Sequence, residues 1–324
     1  MTIRSIKKSN SDKKISELQT KLCAASELEP FADLTIFATG SYARGEASEF
    51  SDIDLFFVSN TPLENISDPN IKSLRMFSKI ISVCDELDFP KFSNDGEFLE
   101  VLEKPTILEH LGARDDAHLN HFTARLLLIL ESRCIFCEDV YESILKSILE
   151  AYFRDYPDHP KDFKPTFLVN DILRFWKTLC LNYENKRNQP DTDQEKQIKQ
   201  KIKNLKLKFS RMLTCFGSIC YIVSQNGSVD HRDIFEMSKL SPLERLEHAC
   251  QNYPELKVTL STAVEEYEWF LELTNVPEEE LRRQFSEREF RVKAFARASV
   301  FGDAIFTITK SVAEKNNYLR FLLV

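Results

Sequence analysis

Two short apolar stretches bracket a turn near the front of this chain, and together they restrict its fold more than any other feature. Leu34-Thr35-Ile36-Phe37-Ala38 is apolar and partly β-branched and reads as a strand. Ile53-Asp54-Leu55-Phe56-Phe57-Val58 reads as a second. Between them stand Gly40-Ser41 and then, after ten residues, Asp52, with Asp54 just inside the second stretch. Glycine is scarce, with 7 in 324 residues. That is about 2% against a usual figure of roughly 7%. Glycine-rich propellers, collagen-like chains and Gly/Ser linkers are thereby excluded. Scarcity also gives Gly40 and Gly45, five residues apart, a backbone reason to be where they are.

The rest of the composition suits a cored protein. Hydrophobic residues make up 43% of the chain, with 25 Phe, so general disorder is excluded. The 43 Lys+Arg and 51 Asp+Glu leave a formal charge of -8. A general nucleic-acid coat would be basic, although a local basic groove is compatible with this balance. Most of the eight cysteines lie in apolar helical contexts, as small reduced core residues do. The Cys134–Cys137 pair has no second pair beside it and is a weak zinc signal. The basic, polar start Met1 to Asn10 has no apolar core of a signal peptide, and no apolar run approaches a membrane span. The expectation is a reduced, cytoplasmic, soluble protein with no membrane partner.

The pattern is mixed at the front and helical at the back. A first helix is expected behind Ser11 as N-cap, carrying Ile15, Leu18, Leu22 and Ala25 inward. A helix over 71–87 has Leu74, Phe77, Ile81 and Cys84 as its apolar face. A turn at Ser93-Asn94-Asp95-Gly96 leads to a third strand, Phe98 to Leu102. After Pro105 the periodicity is almost wholly helical, with helices near 166–187, 194–224, 254–274 and 278–315. Ser241-Pro242-Leu243-Glu244 is a capping box with Pro at the first helical position. Tyr156-Pro157-Asp158-His159-Pro160 breaks the pattern. It divides the chain into residues 1–157 and 158–324.

The chemistry is concentrated in the front part. Asp52 and Asp54 are spaced i, i+2 at a strand start, so both side chains leave one face. Their Cα atoms are then about 6.5–7 Å apart. Two like charges about 4 Å apart repel by roughly 4 kcal/mol at an effective dielectric of 20. A divalent cation offsets that, and carboxylates with phosphate oxygens suit Mg²⁺. Gly40 lets a phosphate approach the backbone, where N–H groups and the Ser41 hydroxyl can donate to it. A triphosphate cradle beside paired metal carboxylates is the equipment of nucleotidyl transfer. A degenerate chain that keeps this fold without turnover is the alternative.

The string Gly40-Ser-Tyr-Ala-Arg-Gly-Glu46, followed by Ser51-Asp-Ile-Asp54, resembles the signature of the DNA polymerase β-type nucleotidyltransferase superfamily. It is most similar to the branch around the PII-protein uridylyltransferases and their DUF294-like relatives. The resemblance implies an α+β fold: a small mixed-sheet catalytic domain like the polymerase β palm (1–157), followed by an all-helical domain (158–324) closing over the nucleotide. It implies catalytic and metal-binding roles for Asp52 and Asp54, and nucleotide binding by Gly40, Ser41 and Arg44. It also implies a third metal carboxylate on a later strand. Glu100, in an apolar stretch, is the candidate, with Asp95 and Glu97 as competitors.

Further candidates lie in the helical part. Asn170, Arg174 and Lys177 fall on one helix face, either a phosphate clamp or a solvated surface. Lys196 to Arg211 carries seven basic residues and no acid. It faces nucleotide phosphates, an oligonucleotide, an acidic protein or solvent alone. Within it, Lys208 and Arg211 are candidate nucleotide ligands. Asp115-Asp116 reads as helix capping, and His118 with His121 lacks a third ligand for a metal site.

The expected activity is Mg²⁺-dependent (or Mn²⁺-dependent) transfer of NMP from an NTP or dNTP to a hydroxyl, with release of pyrophosphate. The acceptor is a protein side chain or a polynucleotide end. Synthesis of a signalling oligonucleotide and toxin- or defence-type transfer use the same chemistry. A non-catalytic nucleotide sensor is the reading of a different class, and the helical half is a candidate surface for a partner protein. The regulatory domains of full-length PII uridylyltransferases are not apparent, which puts PII itself in doubt as the substrate.

Overall fold

The computed structural model describes residues 2–90, 99–113, 116, 120–188, 193–225 and 227–323. The chain forms two compact units, Met1–Ala151 and Tyr152–Val324. The division falls at the end of a helix, a few residues before the break expected at 157.

The first unit is built on a four-stranded sheet of β1 (Leu34–Thr39), β2 (Asp54–Ser59), β3 (Val101–Glu103) and β4 (Arg133–Phe136), in the order β3-β2-β1-β4. β1 is antiparallel to both β2 and β4, and β2 is parallel to β3, so the sheet is mixed. Both faces are covered. Ile36, Ala38, Leu55 and Phe57 join one cluster with Ile15, Leu18 and Leu22 of α1 (Ile3–Cys23) and Met76, Ile80 and Val83 of α3 (Pro69–Glu86). On the opposite face Phe37 stacks on Phe56 at 5.6 Å and meets Tyr141 edge-on at 6.2 Å. Tyr141 belongs to α6 (Glu138–Tyr152), which follows α4 (Lys104–Glu109) and α5 (His121–Leu130). Burial on both faces explains why β1 and most of β2 read as near-continuous apolar runs.

Several local expectations change. α1 begins well before Ser11, at Ile3, with Thr2 as its N-cap. Ser11 is buried mid-helix, donating to the Lys7 carbonyl at 2.8 Å and accepting from the Ala47 N–H at 3.1 Å. On α3, Cys84 is buried and Phe77 packs against the core as expected, but Leu74 is 68% exposed and Ile81 37% exposed. The core takes Met76, Ile80 and Val83 in their place. Both sets have helical spacing, and the sheet's position selects between them. β4 adds a strand to the stretch after Pro105, where the pattern reads as almost wholly helical. The third strand is placed at Val101–Glu103, while Phe98 lies outside the described residues.

The second unit is helical throughout: α7 (Thr166–Arg187), α8 (Gln194–Lys206), a π-helical turn (Leu207–Arg211), α9 (Met212–Ser224), α10 (His231–Ser238), α11 (Pro242–Cys250), α12 (Lys257–Leu273), α13 (Glu278–Ser286), α14 (Arg288–Lys315) and α15 (Leu319–Leu323). The capping box at Ser241 and Glu244 is formed. The π turn carries Phe209 into the core, stacked 4.8 Å from both Phe270 and Phe301. Among the described residues, no helix is long and apolar enough to cross a membrane.

α9 and α11 approach closely at Gly217, where an added Cβ would lie 2.5 Å from the Pro242 carbonyl oxygen. Gly217→Ala gains helix propensity of at most about 1 kcal/mol. It also forces backbone apart, and overpacking of this kind costs typically about 1–3 kcal/mol. The expected result is a lower urea midpoint with an unchanged slope, and a midpoint equal to or above that of the wild type would refute this close contact.

Candidate functional site

β1 runs into a single helical turn, α2 (Gly40–Ala43), and the chain returns to begin β2 at Asp54. Gly40 has φ +68, in the left-handed region where glycine is favoured. A Cβ built there would lie 3.2 Å from Asp54 Oδ2. A side chain there would crowd the carboxylate, so glycine lets the bare backbone of the turn lie directly beside Asp54. Thr39 pairs with Asp54 in the β1–β2 ladder, which brings the two ends together.

Asp52 lies just before the ladder and is exposed, and Asp54 is half-buried. Between them Ile53 is fully buried, which turns the aspartates to the other side. Tyr42, 2% exposed, packs edge-on against Phe89 at 5.3 Å. Its hydroxyl is pushed up to about 12, first by burial and then by the nearby Asp52 charge. Asp52 and Asp54 therefore both stand by the Gly40–Ala43 turn. Ser41 is half-buried on it.

The turn is fastened from behind. Lys7 Nζ donates to the Glu46 carbonyl at 3.1 Å, and the Ser11 hydroxyl accepts from the Ala47 N–H. Arg44, expected as a nucleotide ligand, is engaged within the protein. Its guanidinium donates to Glu46 at 2.7 Å and to Glu131 at 2.7 Å, with only 7% of the side chain exposed. It acts as a strut from the turn to the end of α5. No sequence signal marks Glu131, because it lies 87 positions away.

Glu100 is exposed and immediately precedes β3. The parallel register of β2 and β3 sets it beside Phe56, two residues along from Asp54. It lines a small pocket with Phe56, Leu102, Asn120 and Thr123. Alternation along β2 puts Asp54 and Phe56 on this same face. Among the described residues, however, no three Asp, Glu, His or Cys side chains gather closely enough to hold one ion. Glu100 is therefore not drawn into a group with Asp52 and Asp54. Asp95 and Glu97 lie outside the described residues.

Two carboxylates beside an open backbone fit Mg²⁺, which commonly takes one or two carboxylates and completes its shell with water and substrate phosphate. Asp116, expected as a helix cap, instead pairs with Arg125 in a fully buried bidentate contact. His121 is buried against His110, with ring centroids 4.9 Å apart; His118 lies outside the described residues.

The remaining candidates belong to the second unit. Asn170 and Lys177 are exposed on α7, and Arg174 is half-exposed, 3.7 Å from Asp171. Asp171 also accepts from Tyr152 at 2.7 Å. Lys177 and Lys208 share a neighbourhood, since both pull down the Cys180 thiol that burial raises. Arg211 acts similarly on the buried Cys215 thiol, which burial pushes up to about 12.

Residues 16–117 match a family model described as a nucleotidyltransferase domain. That stretch contains the turn, both aspartates and Glu100. The probable protein adenylyltransferase MntA of Haemophilus influenzae is 32% identical over 93 residues, covering 29% of this chain and 78% of that protein. With the mixed sheet, the Gly40-Ser41 turn and the Asp52/Asp54 pair, these similarities lead to one conclusion: the chain belongs to the nucleotidyltransferase superfamily.

Proposed function

We propose that this protein transfers a nucleoside monophosphate from an NTP to a hydroxyl on a protein, with Mg²⁺ held by Asp52 and Asp54. The observation that carries the reading is the Gly40 opening, 3.2 Å from Asp54 Oδ2. It keeps the backbone of the turn bare of a side chain where the carboxylates stand, as a phosphate-binding turn requires. The similarity to a probable protein adenylyltransferase favours ATP as donor and a protein as acceptor.

Each group then has a task. Gly40 admits the triphosphate, and the Ser41 hydroxyl donates to one of its oxygens. Asp52 and Asp54 hold the cation, which when bound supplies charge neutralisation and Lewis-acid activation of the phosphoryl group. The acceptor oxygen attacks the α-phosphorus, the bond to the β-phosphate oxygen breaks, and pyrophosphate leaves. The acceptor proton passes to water. Arg44 stays with Glu46 and Glu131 and keeps the turn in shape. Glu100 lines the neighbouring pocket.

The test is incubation with each α-labelled NTP and Mg²⁺, following pyrophosphate release and label on protein. A nucleic-acid acceptor in a parallel reaction would reveal polynucleotide transfer instead. NTP binding without turnover, with every acceptor supplied, would favour a sensor. Ser41→Ala should lower turnover by about a hundredfold, the usual loss for one preorganised donor, with the folding midpoint unchanged. Equal turnover in the variant would refute the phosphate contact.

A further inference from the structure

The second unit carries a charge pattern to which the proposed function gives no task. Lys196, Lys199, Lys203 and Lys206 recur on α8 at i, i+3, i+7 and i+10, and all four are exposed. At about 100° per residue they share one face. The opposite side packs inward through Ile202 and Leu205, with Phe209 beyond them in the π turn. α7 ends alongside, where Gln200 Nε2 donates to the Lys186 carbonyl at 3.2 Å.

Lys186 thereby joins the stripe. Packing around Lys203, together with the ammonium groups of Lys186, Lys199 and Lys206, holds Lys203 below the ordinary lysine range. Glu278 of α13 works against this: it lies 3.9 Å from Lys199, its charge also reaches Lys203 and Lys206, and it is bonded to Arg282 at 2.7 Å, one carboxylate among several cations. No acid occurs between Lys196 and Arg211. Like charges at i, i+3 and i, i+4 destabilise a helix, so this face is arranged against the helix's own stability, in a chain of net charge -8.

Such a stripe suits a polyanion with evenly spaced charges. Ten residues of helix span about 15 Å. One strand of a nucleic-acid duplex carries a phosphate about every 3.4 Å, so the stripe spans roughly four phosphates. A protein partner is a poorer match, because lysine is depleted and aromatic residues enriched in the cores of protein interfaces, and this stripe contains no aromatic residue. A membrane surface fits less well still, since the helix's apolar side is already buried.

We propose that the α8 lysine stripe, with Lys186, binds the phosphodiester backbone of a nucleic acid through charge, without reading its sequence. The proposal does not rest on the transfer reading. Binding is measured in EDTA without nucleotide, so its outcome is separate from that of the transfer assay. The full chain is titrated against labelled mixed-sequence single-stranded RNA, the same DNA, and duplex DNA, each of about 20 nucleotides or base pairs, between about 50 and 200 mM salt. The wild type should bind at least one of them, with log affinity falling linearly with log salt. Lys199→Gln/Lys203→Gln/Lys206→Gln should weaken binding by about tenfold or more at low salt and flatten the slope by about 2, at roughly 0.7–0.9 per lost contact. The corresponding Lys→Arg triple should bind as the wild type does. Should the Gln triple fail to fold, a severalfold loss in each single Gln variant supports the proposal equally. A preference for RNA or DNA identifies the source of the phosphates. The proposal is overturned by absence of binding to all three polymers, by Gln variants that bind like the wild type, or by equal affinity for labelled polyglutamate.

Discussion

Asp54→Asn should abolish nucleotidyl transfer, lowering turnover by at least about a thousandfold, or ~4 kcal/mol of transition-state stabilisation. The variant keeps the shape of the side chain and removes its charge. Asp54 sits at the first position of β2, half-buried, against the Gly40 opening. Its neutral replacement can still pair with Thr39 through the backbone, so the strand register is expected to persist. What is lost is one of two charges proposed to hold the cation against a triphosphate. Two measurements separate this from a folding defect. The thermal midpoint without ligand should match the wild type. Addition of Mg²⁺ with a nonhydrolysable ATP analogue should raise the wild-type midpoint, by mass action on the folded state, and leave that of the variant nearly unmoved. Full turnover in Asp54→Asn would remove the basis of the proposed mechanism. Asp52→Asn, at the exposed member of the pair, should behave alike.

The parts of this site legible in the sequence are those encoded locally. β1, the Gly40-Ser41 turn and the start of β2 are specified within a short stretch by apolar runs, two left-handed glycines (Gly40 and Gly45) and alternation. The parts that are not legible depend on distant partners. Arg44 stands inside the motif, yet its role follows from Glu131, which reaches it only after α5 has folded over the sheet. β4 is a four-residue strand, Arg-Cys-Ile-Phe, whose burial comes from pairing with the far earlier β1. Nothing in four residues distinguishes that from a helix terminus. α3 offers two apolar faces of equal helical quality, and only the sheet decides that Met76 is buried and Leu74 is not. Glu100 illustrates the same limit, since its apolar surroundings indicate a strand without fixing which carboxylates it meets.

The largest stability effect is expected at Arg125, which the sequence places near a helix start without indicating a partner. Arg125 Nη1 and Nη2 donate to Asp116 Oδ1 at 2.9 Å and Oδ2 at 2.6 Å, and Nη1 also reaches the Ile107 carbonyl at 3.4 Å. Both side chains are fully buried. One guanidinium therefore ties α5 to α4 and to Asp116 between them. Arg125→Met keeps much of the apolar stem and removes every guanidinium donor, so the buried Asp116 carboxylate loses its bidentate partner. Breaking a buried pair on one side costs about 3–5 kcal/mol, a large part of the roughly 5–15 kcal/mol that holds a typical domain folded. Urea denaturation should show a loss of that size. The double variant Arg125→Met/Asp116→Leu should recover most of it, because a buried ion pair replaced as a whole by apolar groups is often close to neutral. That contrast distinguishes the cost of a half-broken ion pair from the cost of lost packing, since lost packing would make the double variant no more stable than Arg125→Met alone. α5 also carries Thr123, with Asn120 at its N-cap, to the pocket beside Glu100. Loosening the Arg125 tie should therefore lower transfer activity together with stability, and the double variant should restore both.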